Sequence, residues 1–396
     1  MANVKSIDWL KLRVGYGYSG NDDIDPYAWS AYFQSSRYMD RANALIIANI
    51  GNTEIQWETT AKASLGIDAV LFNDRLAFSA DIYSNKTKDL LFLKSLPEVA
   101  GNGYYWGNGG ELSNKGFELS TDIKLFNLNG FKWELGASIG HYTNKIESLP
   151  DGDYITSIYG ADILTSAGNP SGVFYGYKTL GVFTGEEAAA AANLRVIDDN
   201  GASHYFKAGD MHFDDLNNDG IIDDNDRQVI GNPNPDFFGS FNSKINFMNF
   251  TVDMLFTYSY GNDVYNALRS ELESGSLVAN QTTAMLNRWF YEGQETSQPR
   301  VAYMDPLGNS GFSDRWIEDG SYLRFKTLSL GYTVPVKSTM IEGLKVWISA
   351  NNLVNFTNYL GRDPEVSLKN NVLYQGIDAG LLPLSRTYFV GITMNL

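Results

Sequence analysis

Cysteine is absent from the 396 residues. That excludes a disulfide framework, a thiol nucleophile and a zinc–thiolate centre. Histidine is scarce: His141, His204 and His212 stand far apart, with no nucleophile or zinc pattern beside them. Positive charge is in short supply, with 30 Lys and Arg against 46 Asp and Glu and a net charge of −16. Nucleic-acid binding through a basic face is thereby excluded. Nowhere does the chain reach the roughly 18 consecutive apolar residues of a membrane-spanning helix. The opening "MANVKSIDWLKLRVGYG" has no apolar core of a leader, so no signal peptide is expected within it. Low-complexity linkers and charge runs are missing too, so a single large all-β unit accounts for the length better than a string of domains.

What is abundant is tyrosine (24), phenylalanine (22) and glycine (38), the residues of strands and tight turns. Period-2 alternation dominates. In "FKWELGASI", Phe131, Trp133, Leu135, Ala137 and Ile139 share one face; in "FTVDMLFTYSY", Phe250, Val252, Met254, Phe256, Tyr258 and Tyr260 do. "RLAFSADIY" groups Leu76, Phe78, Ala80 and Ile82 against Ser79 and Asp81. The same pattern predicts strands at 10–18, 61–71, 75–89, 117–125, 131–143, 237–247, 250–260, 322–334, 344–352 and 388–396, ten in all. In "YLRFKTLSLGYTV" the apolar phase slips by one residue, from Leu323 and Phe325 to Leu328 and Leu330, which predicts a β-bulge. Each strand suffices for the roughly 9–11 tilted residues that cross a bilayer.

Short turns ("FND", "NLNG") alternate with long connections at 19–53, 90–114, 144–235, 262–320 and 354–384. Such wiring belongs to outer-membrane barrels, whose short turns are periplasmic and whose long loops are extracellular. The expected fold is therefore an all-β, transmembrane antiparallel β-barrel in the bacterial outer membrane, with its apolar faces against lipid. A soluble sandwich or propeller is the alternative, since period alone does not say which face is outside. The chain's last residues, "TYFVGITMNL", place Tyr388, Val390, Ile392, Met394 and Leu396 on one face, as in the terminal strand read by outer-membrane assembly machinery. Aromatics near strand ends, among them Tyr16, Tyr18, Tyr83 and Trp133, suit interfacial girdles.

Eight stretches, in register along the chain, resemble the SusC/RagA-type TonB-linked outer-membrane transporters. They are "LKLRVGYGYSGN" (10–21), "IQWETTAKASLGIDAVLFNDRLAFSADIYSNKTKDLL" (55–91), "GNGGELSNKGFELS" (107–120) and "GVFYGYKTLGVFTGEEA" (172–188). The others are "AGDMHFDDLNNDGIIDDNDRQVIGNPNPDFFGSF" (208–241), "RWIEDGSYLRFKTLSLGYTVP" (315–335), "NNLVNFTNYLGRDPEV" (351–366) and "GIDAGLLPLSRTYFVGITM" (376–394). The resemblance implies a wide plugged barrel importing oligosaccharides or peptides, energised by the TonB complex and covered by a SusD-like lipoprotein. Transporters of this type have about 22 strands around a plug. Residues 1–396 thus correspond to about ten C-terminal strands, and plug and TonB-contacting segments are expected outside them, as is further barrel wall to pair with the free edges. Two other readings remain: a small self-contained porin or adhesin, and a secreted calcium-stabilised carbohydrate-binding or glycosidase module.

Within the connection 144–235, "FDDLNNDGIIDDNDR" (213–227) matches an EF-hand or dockerin-like calcium loop without flanking helices. Its ligand positions 1, 3, 5, 7, 9 and 12 are Asp215, Asn217, Asp219, the Ile221 carbonyl, Asp223 and Asp226, with Gly220 at the sharp turn. Oxygen-only ligands select calcium over softer-ligand metals. The alternative is an ion-free turn rich in Asx residues. "EEAAAAANLRV" (186–196) predicts a short packing helix. Tyr104, Tyr105 and Trp106, in a glycine-flanked loop, are candidates for stacking on sugar rings, against the plainer reading of interfacial packing. No catalytic residue is assigned.

Overall fold

The computed structural model describes residues 6–38, 42–95, 104–336, 343–369 and 371–395. Ten strands join in one sheet in sequence order: β1 (Ile7–Asn21), β2 (Glu58–Leu71), β3 (Leu76–Lys88), β4 (Glu111–Leu128), β5 (Phe131–Ser148), β6 (Phe237–Phe247), β7 (Phe250–Tyr260), β8 (Tyr322–Val334), β9 (Gly343–Thr357) and β10 (Thr387–Asn395). All ten predicted strands are present, half of them longer than their periodicity alone marked. Because sequence neighbours are sheet neighbours, every long connection leaves from the same end of its strand pair and every short turn from the other. The short turns use left-handed backbone: Phe72, Asn73 and Asp74 have φ of 59°, 55° and 61°, and Met248 has 51°. By contacts the chain divides into two compact units, one comprising Met1–Thr121, Gly140–Asp153 and Ser166–Pro170, the other comprising Asp122–Ile139, Tyr154–Thr165 and Ser171–Leu396.

In the second unit, the register lines up an apolar belt. Ile245 opposes Val252, Val252 opposes Leu330, Leu330 opposes Ile348, and Ile348 opposes Val390. One row lower in the pleat, Asp253 opposes Lys244 and Ser329. The phase slip in β8 is real. Leu255 pairs with Thr327 but Phe256 pairs with Phe325, so Lys326 is the extra residue, and the shift recurs against β9. Beyond the bulge, Phe325 returns to the belt and stacks on Phe256 at 4.5 Å. One polar group on the belt face, the Ser243 hydroxyl, is matched by Trp133 Nε1, which donates to it at 3.1 Å. Pairing it removes the cost of a bare hydroxyl against hydrocarbon.

In the first unit the polar face of β1, β2 and β3 carries an arginine between two carboxylates. Arg13 donates through Nε and Nη2 to Asp68 at 2.8 and 2.7 Å, and through Nη1 and Nη2 to Asp81 at 2.8 Å each. Ser79 Oγ donates to Asp68 at 2.7 Å. Gly66 lies between Arg13 and Asp81 in the register. A β-carbon there would come within 2.3 Å of Asp81 Oδ1 and 2.8 Å of the Arg13 guanidinium carbon, so only glycine leaves room for the fork. Tyr83, expected in an aromatic girdle, shares the face of Asp81 and Ser79 instead, by the same period of two.

The hydrophobic core is not in the wall. The largest fully buried side chains among the described residues are Trp316, Phe174, Ile163, Ile377, Val173 and Val264, and all lie in long connections. Wall residues of the apolar face stay open: Val390 is 78% exposed, Ile392 68% and Val14 77%. A water-soluble β-protein would bury that face, whereas a barrel wall turns it to lipid. Leu396 lies outside the described residues.

Alternation across β7 yields a direct check. Spin labels at Val252 and Asp253 should show opposite accessibility, with only position 252 reached by a lipid-soluble quencher. Equal accessibility would contradict the assignment of faces.

Candidate functional site

The long connections fold into a layer of their own in the second unit. Strands Tyr154–Ile158, Ala161–Thr165, Val173–Tyr177 and Arg227–Gly231 form a four-stranded sheet. Asp263–Asn266 pairs with both Ile317–Asp319 and Ile377–Asp378, tying two different connections together. Side chains from three connections meet in one cluster: Ile163 and Phe174, then Tyr265 and Trp316, then Ile377. Trp316 is capped on its ring by Arg315 at 4.1 Å and Arg269 at 5.4 Å. Burial and the neighbouring Arg269 pull the Arg315 guanidinium down to about 10. Arg269 is balanced by Glu318 at 2.8 Å and Glu273 at 3.1 Å.

A second cluster contains Phe183, Leu194, Phe206, Met211, Phe213 and Ile222, with Leu307 reaching in from the connection between β7 and β8. The predicted helix is there as Glu186–Ala192, and it packs Ala189 into this cluster. Fully buried Asp210 bonds this region to the later connection. Arg300 grips its carboxylate with two bonds of 2.6 and 3.0 Å, Asn309 Nδ2 donates at 2.9 Å and the Lys207 amide at 2.8 Å. Charge-assisted bidentate bonds of this kind are among the stronger polar contacts.

The acidic loop lies between the two clusters in sequence. Its entering strand Met211–Phe213 supplies the second cluster and its exit strand Arg227–Gly231 joins the four-stranded sheet. Asn217 Oδ1 accepts from the Asp219 amide at 2.9 Å and Asp219 Oδ1 from the Ile221 amide at 2.8 Å. These are successive Asx turns. Asp215 accepts from the Gly220 amide at 2.8 Å and the Asp219 amide at 3.3 Å. The loop reverses through two left-handed residues, Asn218 (φ 59°) and Gly220 (φ 74°). It is clipped outside by Arg195, whose amide donates to the Gly220 carbonyl at 3.0 Å and whose carbonyl accepts from Ile222 at 2.8 Å. Asp223 and Asp226 form a capping box: Asp223 accepts from the Asn225 amide, and Asp226 from the Asp223 amide at 2.9 Å. Arg227, next in sequence, ion-pairs with Asp162 of the four-stranded sheet.

Thus Asp215, Asn217, Asp219, Asp223 and Asp226 are brought into one turn, each bonding the loop's own amides. Among the described residues, no three His, Asp or Glu side chains converge as a metal-holding group. Asp226 is fully buried. Burial raises its carboxyl above the usual aspartate range, the negative Asp215 and Asp223 add to the rise, and amides of Asp223 and Leu216 oppose it. The aromatic run has a different setting from the expected loop. Tyr104–Asn108 is a strand paired with Leu91–Ser95, and the Trp106 carbonyl accepts from Asn52 Nδ2 at 3.0 Å. On its C-terminal side Gly109 and Gly110, with φ of 155° and 80°, follow the strand. Tyr105 and Trp106 are half-buried; the Tyr104 side chain lies outside the described residues. The Asp210–Arg300 pair went unrecognised in the sequence, because 90 residues separate its members and no motif marks them.

Residues 2–353 match the family described as "TonB dependent receptor-like, beta-barrel". The chain belongs to this family. Its ten strands are wall strands of an outer-membrane β-barrel. It is 34% identical over 98% of its length to TonB-dependent receptor P3 of Formosa agariphila, covering 40% of that protein. It is 28% identical over its full length to TonB-dependent receptor SusC of Bacteroides thetaiotaomicron, covering 38% of it. The fold superposes on the structure of the RagAB peptide transporter with a TM-score of 0.82 at 23% identity, over 100% of this chain and 41% of that one. The chain therefore spans about two fifths of the length of the TonB-dependent receptors it matches.

Two expectations concern the loop layer. Asp210→Ala leaves Arg300 without its carboxylate; discounted for the partial exposure of Arg300, it should cost on the order of 2 kcal/mol locally. Protease cleavage within 205–230 and 298–310 should rise while the wall strands stay resistant; unchanged cleavage would contradict the tie. For Asp226, whose folded value is raised, stability is fully present below the ordinary aspartate range and is lost as pH rises through the raised value. In chelator, the protection of amides within 213–227, measured relative to their intrinsic base-catalysed exchange, should fall over that pH window, and constant protection would contradict the burial argument.

Proposed function

We propose that the chain forms the C-terminal wall and much of the outward loop layer of an importer of nutrients, either oligosaccharides or peptides. In this reading the TonB complex drives uptake through barrel and plug segments beyond these residues, and a SusD-like surface lipoprotein covers the loops. The observation that carries it is the ordered layer of long connections, with two hydrophobic clusters of its own, mounted on one end of a lipid-facing sheet. A passive porin needs no such layer, and a secreted module has no use for an open apolar wall. The names of the relatives, TonB-dependent receptors and a peptide transporter, support the same reading. Deleting 149–236 from the full-length gene tests it. Growth on one nutrient class as sole carbon source should be lost, with the barrel still in the outer-membrane fraction. Unchanged growth on every oligosaccharide and peptide tried would contradict it.

The same reading gives the acidic loop a calcium ion, held by Asp215, Asn217, Asp219, the Ile221 carbonyl, Asp223 and Asp226. Supporting it are oxygen donors at every ligand position, the left-handed Gly220 at the turn, and a buried Asp226 whose charge the neighbouring carboxylates disfavour. A divalent cation offsets that repulsion. Its role is structural, pinning the turn that links the two clusters. Chelator treatment, or Asp219→Ala, should open 205–230 to protease and leave the wall intact. Identical cleavage with and without chelator would make the loop an ion-free turn.

A further inference from the structure

A recess of about 470 Å³ opens in the loop layer of the second unit, between the tip of the hairpin at 154–165 and the segment 265–279. Its floor is apolar: Trp316, Phe312, Ala267 and Tyr265. Tyr159 stands at the rim, 65% exposed. Ile158 pairs with Ala161, so Tyr159 and Gly160 are the two central residues of a tight hairpin turn, and both have positive φ, 52° and 84°. Turns of this form favour Asn or Gly at the first position, and a bulky residue there is strained. Tyrosine is nevertheless held in place, its carbonyl accepting from the buried Tyr265 hydroxyl at 3.2 Å. Strain retained to present an open ring points to a use for the ring.

The serines of the recess have already committed their protons. Ser270 donates to the Ala267 carbonyl at 2.8 Å and Ser274 to the Glu271 carbonyl at 3.2 Å. Ser276 donates to Ser274 at 3.1 Å and Ser310 to Asp305 at 2.6 Å. A hydroxyl has one proton and two lone pairs; Ser274 Oγ already accepts from the Ser276 amide at 3.4 Å as well as from Ser276 Oγ, so the acceptors still open to a ligand are those of Ser270, Ser276 and Ser310. The exposed Glu271 adds a further acceptor and a negative charge, and the described lining holds no lysine or arginine.

We propose that this recess binds an uncharged pyranose unit of an oligosaccharide and discriminates against acidic sugars. A pyranose brings a flat C–H face for the Tyr159 ring and hydroxyl protons for the serine and Glu271 oxygens. The carboxylate of a uronate or a sulfate group brings only acceptors and negative charge, and meets the negative Glu271 with no lysine or arginine in the described lining to balance it. The proposal rests on the importer reading and selects oligosaccharide over peptide within it.

The test is calorimetric titration of the full-length receptor, expressed from the full-length gene and purified from outer membranes in detergent, with hexamers of α-1,4-glucose, β-1,4-mannose, β-1,4-galactose and α-1,4-galacturonate, and with an end-capped alanine hexapeptide. At least one neutral hexamer should bind and the galacturonate hexamer should not. Tyr159→Ala, which removes an exposed ring, should weaken neutral binding about tenfold, the scale of a lost aromatic contact, with the β-sheet circular dichroism unchanged. Glu271→Lys should admit galacturonate. Binding of no neutral hexamer, galacturonate binding equal to neutral, preference for the peptide, or neutral binding indifferent to Tyr159→Ala would each overturn the proposal. If binding behaves as expected while growth survives deletion of 149–236, the importer reading falls and the recess stands. If growth is lost and binding absent, the reverse holds.

Discussion

Backbone amides and carbonyls inside hydrocarbon have no water to bond, so a chain that crosses a bilayer as strands must pair them laterally without a break. Most of the structure follows from this constraint. It requires a continuous sheet of consecutive antiparallel strands, and the order from β1 to β10 is such a sheet. It turns the apolar residues outward, which deprives the wall of a hydrophobic core. The packing that a soluble β-protein places between its sheets is found here in the loop layer, around Phe174, Trp316 and Ile377 and around Phe213 and Met211. The polar face is held instead by paired charge, as where Arg13 bridges Asp68 and Asp81 across three strands and Gly66 clears the space between them.

Much of the wall was legible in the sequence because its signal is local. A period of two needs only neighbouring residues, and even the bulge at Lys326 was visible as a phase slip from Phe325 to Leu328. The alternation of short turns and long connections was equally plain. What could not be read was anything that depends on register or on distant pairing. Arg13 reaches Asp81 only after two strand pairings are set, 68 residues apart. Tyr83 looked like a girdle residue because tyrosine composition carries no information about which face it occupies. The Tyr104–Trp106 run looked like a loop because glycines surround it, and pairing with Leu91–Ser95 overrode that local signal.

The acidic loop shows the same division. The spacing from Asp215 to Asp226 announced a tight turn, and successive Asx bonds with left-handed Asn218 and Gly220 deliver it. Its place in the fold was not legible: it hands the chain from one hydrophobic cluster to the sheet beside the other, and Arg227 is anchored to Asp162 at the exit. A device that stiffens this turn therefore acts on the geometry of the whole loop layer, including the Tyr159 hairpin, whose neighbouring strand carries Asp162.

The central claim is that the wall faces lipid and that the core lies in the loops. Photolabelling in membranes with a lipid bearing a diazirine at mid-chain, followed by peptide mass mapping, tests it most directly. Adducts are expected along the belt of Ile245, Val252, Leu330, Ile348 and Val390, and none on Phe174, Ile163 or Met211. Adducts on the loop clusters, with the belt unlabelled, would contradict it.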